Sequence, residues 1–401
     1  MPTHPSTPPD FAAVRADFPC AQEKLWLAAA ETHPYSVHTL RALEGYTQFR
    51  AWGPGADRQS FTPELQQETK AMFAALIGAK PAEIAFVQST TDGENVVLAG
   101  LGLSQPGAHL HGGKPGGNIV IDDLHFEASK YIYTRLAQAG NVELRVVPHR
   151  NWQIRFADIE AAIDDQTRLV SLALVSQVNG YLADIGAISR LAHAHGAYVY
   201  ADIIQAAGNT PIDVTAMGID FAACGTYKWL MGDFGIGFLY VRAGLQETVE
   251  PTRFSLRQVQ TQKDFDFPLH EDATRYEGSQ ISFLSGICAH TGLAYLTKLG
   301  VEKIRAHVQP LTARVQAELP RLGYQPITPL DAPTPIVSFL PANMAETQAK
   351  LDRAFGHQVV SFREWYWTNE QGERAMVPGM RLGISVYNND ADIDRFLNAL
   401  A

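Results

Sequence analysis

The sequence predicts an α/β fold: a large domain built on a mostly parallel seven-stranded sheet, followed by a smaller α+β C-terminal domain. Two observations carry the prediction. Between residues 84 and 241, short apolar runs alternate with segments of helical spacing, the pattern of strands joined by crossover helices. Beyond residue 272 the order changes to long helices, then strands, then a closing helix. At 401 residues and 46% hydrophobic content the chain exceeds one ordinary core, which agrees with two domains. The expected divisions are an N-terminal arm over residues 1–30, a large domain over 31–272 and a small domain over 273–401.

The elements follow in order. Residues 36–46 and 63–77 carry helical spacing, separated by the Gly/Pro-rich segment 50–58, which reads as a loop. Strands are expected at 84–87, 118–122, 143–147, 169–175, 198–202, 220–224 and 236–241, with helices near 127–139, 156–163 and 185–195 between them. Residues 109–117 form a glycine-rich loop whose Gly-Lys lacks the spacing and the Ser or Thr of a Walker phosphate site. Residues 250–272 are polar and irregular, and a long helix then runs to about 299. In the small domain a helix over 301–319 precedes strands at 336–340, 358–362 and 381–386.

Composition removes several classes of function. A net charge of -10 without a basic stripe argues against nucleic acid as a partner. Cys20, Cys224 and Cys288 are far apart, so neither a disulfide framework nor a zinc site is expected, and a reducing cytoplasm fits. No apolar run approaches the roughly 18 residues of a membrane span, and the N-terminus lacks a signal-peptide pattern. No metal is expected, because His193 and His195 would not share a helix face and His109 and His111 lie in a loop without further ligands.

The chemistry centres on two strand ends. The run Tyr198-Val-Tyr-Ala-Asp202 ends in a carboxylate, and the next apolar run leads through Thr226-Tyr to Lys228. Ligands of α/β proteins bind beyond the carboxyl ends of strands. A lysine that forms an imine with an aldehyde and a carboxylate that keeps a pyridine nitrogen protonated suit pyridoxal 5'-phosphate (PLP). The turn Gln88-Ser89-Thr90-Thr91-Asp92-Gly93 joins a strand to a helix N-terminus, where backbone N–H groups and the helix dipole favour an anion.

In this order the motifs resemble the class V aminotransferase family of fold-type I PLP-dependent enzymes, which includes cysteine desulfurases, kynureninases and isopenicillin-N-epimerase-like proteins. The resemblance runs from about residue 25 to the C-terminus. It implies that Lys228 forms the Schiff base and moves protons at the substrate's alpha carbon, and that Thr226 binds the cofactor phosphate. Asp202-Ile-Ile-Gln205 implies Asp202 at the pyridinium nitrogen and Gln205 at the phenolic oxygen or the phosphate. The Ser89–Gly93 turn implies Thr90 and Thr91 at the phosphate. Asp122-Asp-Leu-His125-Phe126-Glu127 implies a ring lying on the cofactor, Phe126 in the preferred register and His125 as the alternative. Ser176-Gln177-Val-Asn179-Gly180 implies Gln177 at the cofactor and Asn179 near the substrate. Arg275-Tyr-Glu-Gly278-Ser279-Gln280 implies that Ser279 reaches a phosphate across a homodimer with shared active sites. Arg381-Leu-Gly-Ile-Ser385 implies that Arg381 grips the substrate carboxylate. Apart from the resemblance, the segment 362–380, read as a loop, offers Arg363 and the three aromatics of residues 365–367, which either enclose a substrate side chain or form a packed lid or interface.

Residues 362–380 contain no cysteine. The expectation is therefore an enzyme acting on an alpha-amino acid by aminotransferase-type chemistry, not a persulfide-forming cysteine desulfurase. C–S beta-elimination, epimerisation and kynureninase-like hydrolysis are the alternatives, and a non-enzymatic PLP-binding protein is disfavoured.

Overall fold

The structure, a computed structural model, describes residues 9–104, 116–278 and 280–401. The 109–117 loop and Ser279 therefore fall wholly or mostly outside the described residues. Seven strands form the large sheet: Ile84–Val87 (β1), Asn118–Asp122 (β2), Glu143–Val147 (β3), Thr167–Ala173 (β4), Tyr198–Asp202 (β5), Phe221–Gly225 (β6) and Gly237–Val241 (β7). Their order is β1-β7-β6-β5-β4-β2-β3, and β7 runs antiparallel to both of its neighbours while the other pairings are parallel.

Alternate side chains of the central strands enter two separate cores. Phe86, Val120, Val170, Val199 and Phe238 join one cluster; Val87, Ile121, Leu169, Tyr200 and Leu239 join the other. Both faces are thus covered, which is why these strands read as continuous apolar runs. The helices of this part are Phe11–Ala16 (α1), Pro19–Glu23 (α2), Val37–Trp52 (α3), Pro63–Leu76 (α4), Thr90–Gly100 (α5), Glu127–Gln138 (α6), Phe156–Ala162 (α7), Ile185–Ala194 (α8) and Phe283–Leu299 (α9). Residues 50–52, expected in a loop, are the last turn of α3, which ends at Gly53 with φ 75°. Helix α9 packs against α3 and α4, so residues 283–299 lie with the large sheet's helices.

The small sheet is antiparallel in the order β10-β11-β9-β8, formed by Gln325–Pro326 (β8), Ile336–Leu340 (β9), Ser361–Thr368 (β10) and Arg374–Gly383 (β11). Helices Val301–Glu318 (α10), Met344–Phe355 (α11) and Asp390–Leu400 (α12) complete it. The stretch expected as a loop between residues 362 and 381 is a long hairpin, with Trp365 opposite Val377 and Tyr366 opposite Met376. Aromatic and β-branched residues favour the pairing, while the adjacent charges Arg363 and Glu364 on β10 and Pro378 on β11 hide its two-residue period.

A strap from the N-terminal arm joins the two sheets. Gly383 N–H donates to Leu27 at 2.7 Å and Ala29 N–H to Gly383 at 3.2 Å, forming a parallel bridge between Ala28 and Gly383. Gly383 permits this approach, since a Cβ there would lie 2.3 Å from the Ala30 nitrogen. Farther on, His33 N–H donates to the Tyr227 carbonyl at 3.0 Å, beside the lysine.

Helix α5 sits equally close to the sheet. A Cβ on Gly93 would lie 2.8 Å from that of Ala223. Gly93→Ala is expected to push the first turn of α5 away from β6, costing about 1–3 kcal/mol of stability. Urea unfolding and a cofactor-binding titration measure the effect; an unchanged cofactor affinity would show that the close approach does not position the turn.

Candidate active site

Strands β4, β5 and β6 end together: Ala173 pairs with Asp202, and Asp202 with Ala223. Above these ends lies a cavity with about 450 Å³ of empty space, part of it open to solvent. Ser89, Thr90, Thr91, Phe126, Gln177, Asp202, Gln205 and Lys228 line it, together with Ala173, Val175, Ile204 and Tyr227.

The two charged groups at its floor are buried. Burial pushes the Asp202 carboxyl up to about 6, although the Ile204 N–H and Lys228 pull it the other way. Burial also brings the Lys228 amine down to about 8; Arg381 pushes the same way, while Asp202 opposes it. Desolvation dominates in both. Near neutral pH the carboxylate is therefore ionised, and the amine loses its proton far more readily than an ordinary lysine.

At the other end, Ser89 caps α5 by accepting from Asp92 N–H at 3.1 Å. The Gly225 N–H donates to Thr90 Oγ1 at 2.9 Å, tying this turn to the lysine loop. Phe126 caps α6 and lines the cavity, whereas His125 is buried beneath it. Its Nδ1 accepts from Phe126 N–H at 2.8 Å, which leaves Nε2–H to donate to Ser171 Oγ at 3.1 Å. Burial, and Lys130 secondarily, take His125 down to about 3, so the ring stays neutral. Ser171 and Ser129 donate in turn to Glu94, whose carboxyl burial raises to about 7.

Other expected contacts go elsewhere. Thr226 donates to the carbonyls of Asp233 and Ile236 at 2.6 and 3.2 Å; it braces the loop after Lys228 and does not line the cavity. Gln205 borders the cavity, but its amide spans Ala30 O at 3.0 Å and Trp229 Nε1 at 2.8 Å. Asn179 binds the carbonyls of Trp152 and Ile327 and the Tyr181 N–H, so it fastens the large domain to the small one. Gln177 donates to Glu127. Arg363 is ion-paired with Glu31. His193 and His195 pair separately with Asp220 and Asp165.

Arg381 is buried on β11 and donates through one terminal nitrogen to the Gln177 carbonyl at 2.8 Å. Its Nε has no hydrogen-bond partner among the described residues. Burial, reinforced by Arg363, takes its pKa down to about 10, so it remains a cation at neutral pH. Two residues not singled out in the sequence bear on the site: Tyr227, which lines the cavity and is stacked on Phe234 with ring centroids 4.2 Å apart, and Glu31, whose charge acts on Lys228 and Arg381. Tyr227 adjoins the lysine and was the more legible of the two; Glu31 lies far away in the chain and left no signal.

A helix N-terminus with three hydroxyls, an apolar ring, a buried carboxylate and a buried lysine of lowered pKa make a donor set that fits a phosphorylated pyridine aldehyde. The class V aminotransferase family model matches residues 41–396. The chain belongs to the class V aminotransferase family. It is an enzyme of this family, and the residues lining the cavity fit PLP. A cysteine desulfurase of Salmonella typhimurium is 27% identical over 411 residues, covering 96% of both chains. A probable cysteine desulfurase of Methanothermobacter thermautotrophicus is 27% identical over 310 residues, covering 76% of this chain and 74% of that protein. The solved apo structure of a cysteine desulfurase from Thermococcus onnurineus superposes with a TM-score of 0.82 at 22% identity, over 99% and 98% of the two chains, and shares the fold.

These relatives overturn the expected reaction. The exclusion of persulfide-forming desulfuration rested on a single missing feature, a cysteine in the segment now seen as the β10–β11 hairpin. A relative aligned along almost the whole chain is a cysteine desulfurase, another aligned over three quarters of it is a probable cysteine desulfurase, and aminotransferase-type chemistry no longer leads. The chain's thiols are Cys20, partly buried, and Cys224 and Cys288, both buried.

Proposed function

We propose that this class V enzyme removes sulfur from L-cysteine and leaves L-alanine. The observation that carries the reading is the convergence of Lys228 and Asp202 in one cavity, with the buried Arg381 acting electrostatically on Lys228. The similarity of the whole chain to a cysteine desulfurase supports the substrate. When bound, PLP supplies an electron sink for charge developing at the substrate's alpha carbon. Arg381 holds the alpha-carboxylate. Lys228 takes and returns a proton at the alpha carbon. Asp202 balances the charge of the pyridine nitrogen, Phe126 covers the ring, and Ser89, Thr90 and Thr91 hold the phosphate. The Cβ–S bond breaks and the sulfur passes to a thiol: cysteine and a thiol give alanine and a persulfide, without an external oxidant.

The site works in a cytoplasmic homodimer. Free cysteines support a reducing compartment. Exposed Phe254, Leu256, Phe265 and Phe267, close in sequence to the 275–280 turn, support a covered surface there. Light scattering is expected to give twice the chain mass; a monomer that is fully active sinks the shared site. Among the described residues no helix is long and apolar enough to cross a membrane.

The reaction is tested by product analysis with L-cysteine and a reducing thiol. Alanine equal to the cysteine consumed, with sulfur recovered as persulfide, is expected. Pyruvate and ammonia in its place would overturn the reading. Arg381→Lys is expected to raise KM about tenfold to a hundredfold, because an ammonium cannot reproduce the planar two-donor grip. An unchanged KM would remove Arg381 from the substrate site.

A further inference from the structure

The positive charge offered to the substrate is set by residues on three chain segments. Ser361 and Arg363 are two apart on β10 and share a face of the sheet, and Ser361 is paired with Arg381 on β11. The strap brings Glu31 to this place from the other end of the sequence. One Glu31 oxygen accepts from the Ser361 hydroxyl and the other pairs with Arg363. Burial pushes the Glu31 carboxyl up, but the Ser361 hydrogen bond and the Arg363 and Arg381 guanidiniums outweigh it and hold it below its ordinary range. Glu31 is therefore a carboxylate in this setting. Glu127 also acts on Arg381, but it is more exposed and has Gln177 and Lys130 as partners.

One carboxylate fixed by the protein thus pairs with Arg363 and acts on Arg381 only through its charge. Arg363 is taken up by Glu31, whereas Arg381 keeps its Nε–H unpartnered. Had Arg363 been free, the site would present two anion-binding forks, suited to an amino acid with a second anionic group on its side chain.

We propose that Glu31 is a specificity-determining residue: by occupying Arg363 it leaves Arg381 as the single guanidinium for substrate, so the site takes amino acids with one carboxylate and discriminates against a side-chain anion. The proposal rests on the substrate role given to Arg381 above and extends it to the side chain. Specificity of this kind comes from withholding a partner from the wrong ligand, and Glu31 does so by engaging Arg363.

L-Aspartate and L-asparagine are close in shape and differ by one charge, which makes them suitable probes. Calorimetric titration of the PLP-loaded enzyme gives the ratio of their dissociation constants, aspartate over asparagine, without recourse to turnover. In Glu31→Gln this ratio is expected to fall about tenfold or more, because the released Arg363 can then pair with the aspartate side chain. In Glu31→Gln/Arg363→Gln it returns towards the wild-type value, and the single-variant shift shrinks at high salt. A ratio unchanged in Glu31→Gln, or a shift that persists in the double variant, overturns the proposal; so does the absence of binding by both probes in every variant. Cofactor absorbance and thermal unfolding establish that each variant is folded. Failure to form alanine from cysteine would sink the reaction proposed above and leave the measured ratio intact.

Discussion

Replacing Lys228 with alanine is expected to lower turnover by about 10³-fold or more, the scale of losing a positioned acid–base group, and to remove the covalent tether of the cofactor. The absorbance of lysine-bound PLP should disappear with it, and a variant that retains both colour and activity would refute the assignment. The same burial that tunes this amine also costs stability. Its pKa in the cofactor-free protein is about 8 against an ordinary 10.5, so the unfolded chain binds the proton more tightly than the folded one. The penalty is fully present below about pH 8 and fades as pH rises towards 10.5, where both states are neutral. Lys228→Met, which keeps much of the volume, should therefore stabilise the cofactor-free protein at neutral pH by about 3 kcal/mol at most. Urea unfolding of both proteins across this range checks the sign: the difference should shrink as pH rises.

Asp202→Ala is expected to leave PLP bound through Lys228 while lowering turnover by at least about 10²-fold, as when a preorganised electrostatic partner is removed. Asp202 is held near 6 by burial and is ionised at neutral pH, with the Ile204 N–H fixing one of its oxygens at 3.0 Å. It stands in the same cavity as Lys228, and the role proposed for it is to balance charge at the pyridine nitrogen. Turnover measured against cofactor content separates this role from simple loss of PLP. Wild-type turnover with full cofactor occupancy would contradict it.

Much of the fold was legible because the large sheet is buried on both faces. β1 and β5 match the expected strands residue for residue, since a continuous apolar run leaves little doubt about its limits. The β10–β11 hairpin was not legible, because it is half exposed and its charged positions break the alternation. Within the site, side chains adjoining strand ends were placed by chain order together with the family resemblance: Asp202, Lys228, Phe126 and the Thr90–Thr91 turn all line one cavity. Thr226, Gln205 and Asn179 show the limit of such reasoning. Each has a side chain able to bind cofactor or substrate, but other groups of the chain engage it: the following loop for Thr226, and carbonyls far away in sequence for Gln205 and Asn179. Glu31 meets Arg363 across 332 positions of sequence, a contact that no local pattern announces. The reaction was misjudged for a related reason: the absence of one residue type from a segment was given more weight than the similarity of the whole chain could bear.

The central claim is that PLP is held at the cavity formed by Lys228, Asp202 and the N-terminus of α5. Borohydride reduction of the PLP-loaded protein makes the cofactor–lysine link permanent, and peptide mapping by mass spectrometry then reports which lysine carries it. The label is predicted on Lys228 alone; a label on any other lysine, with Lys228 unmodified, would contradict the account.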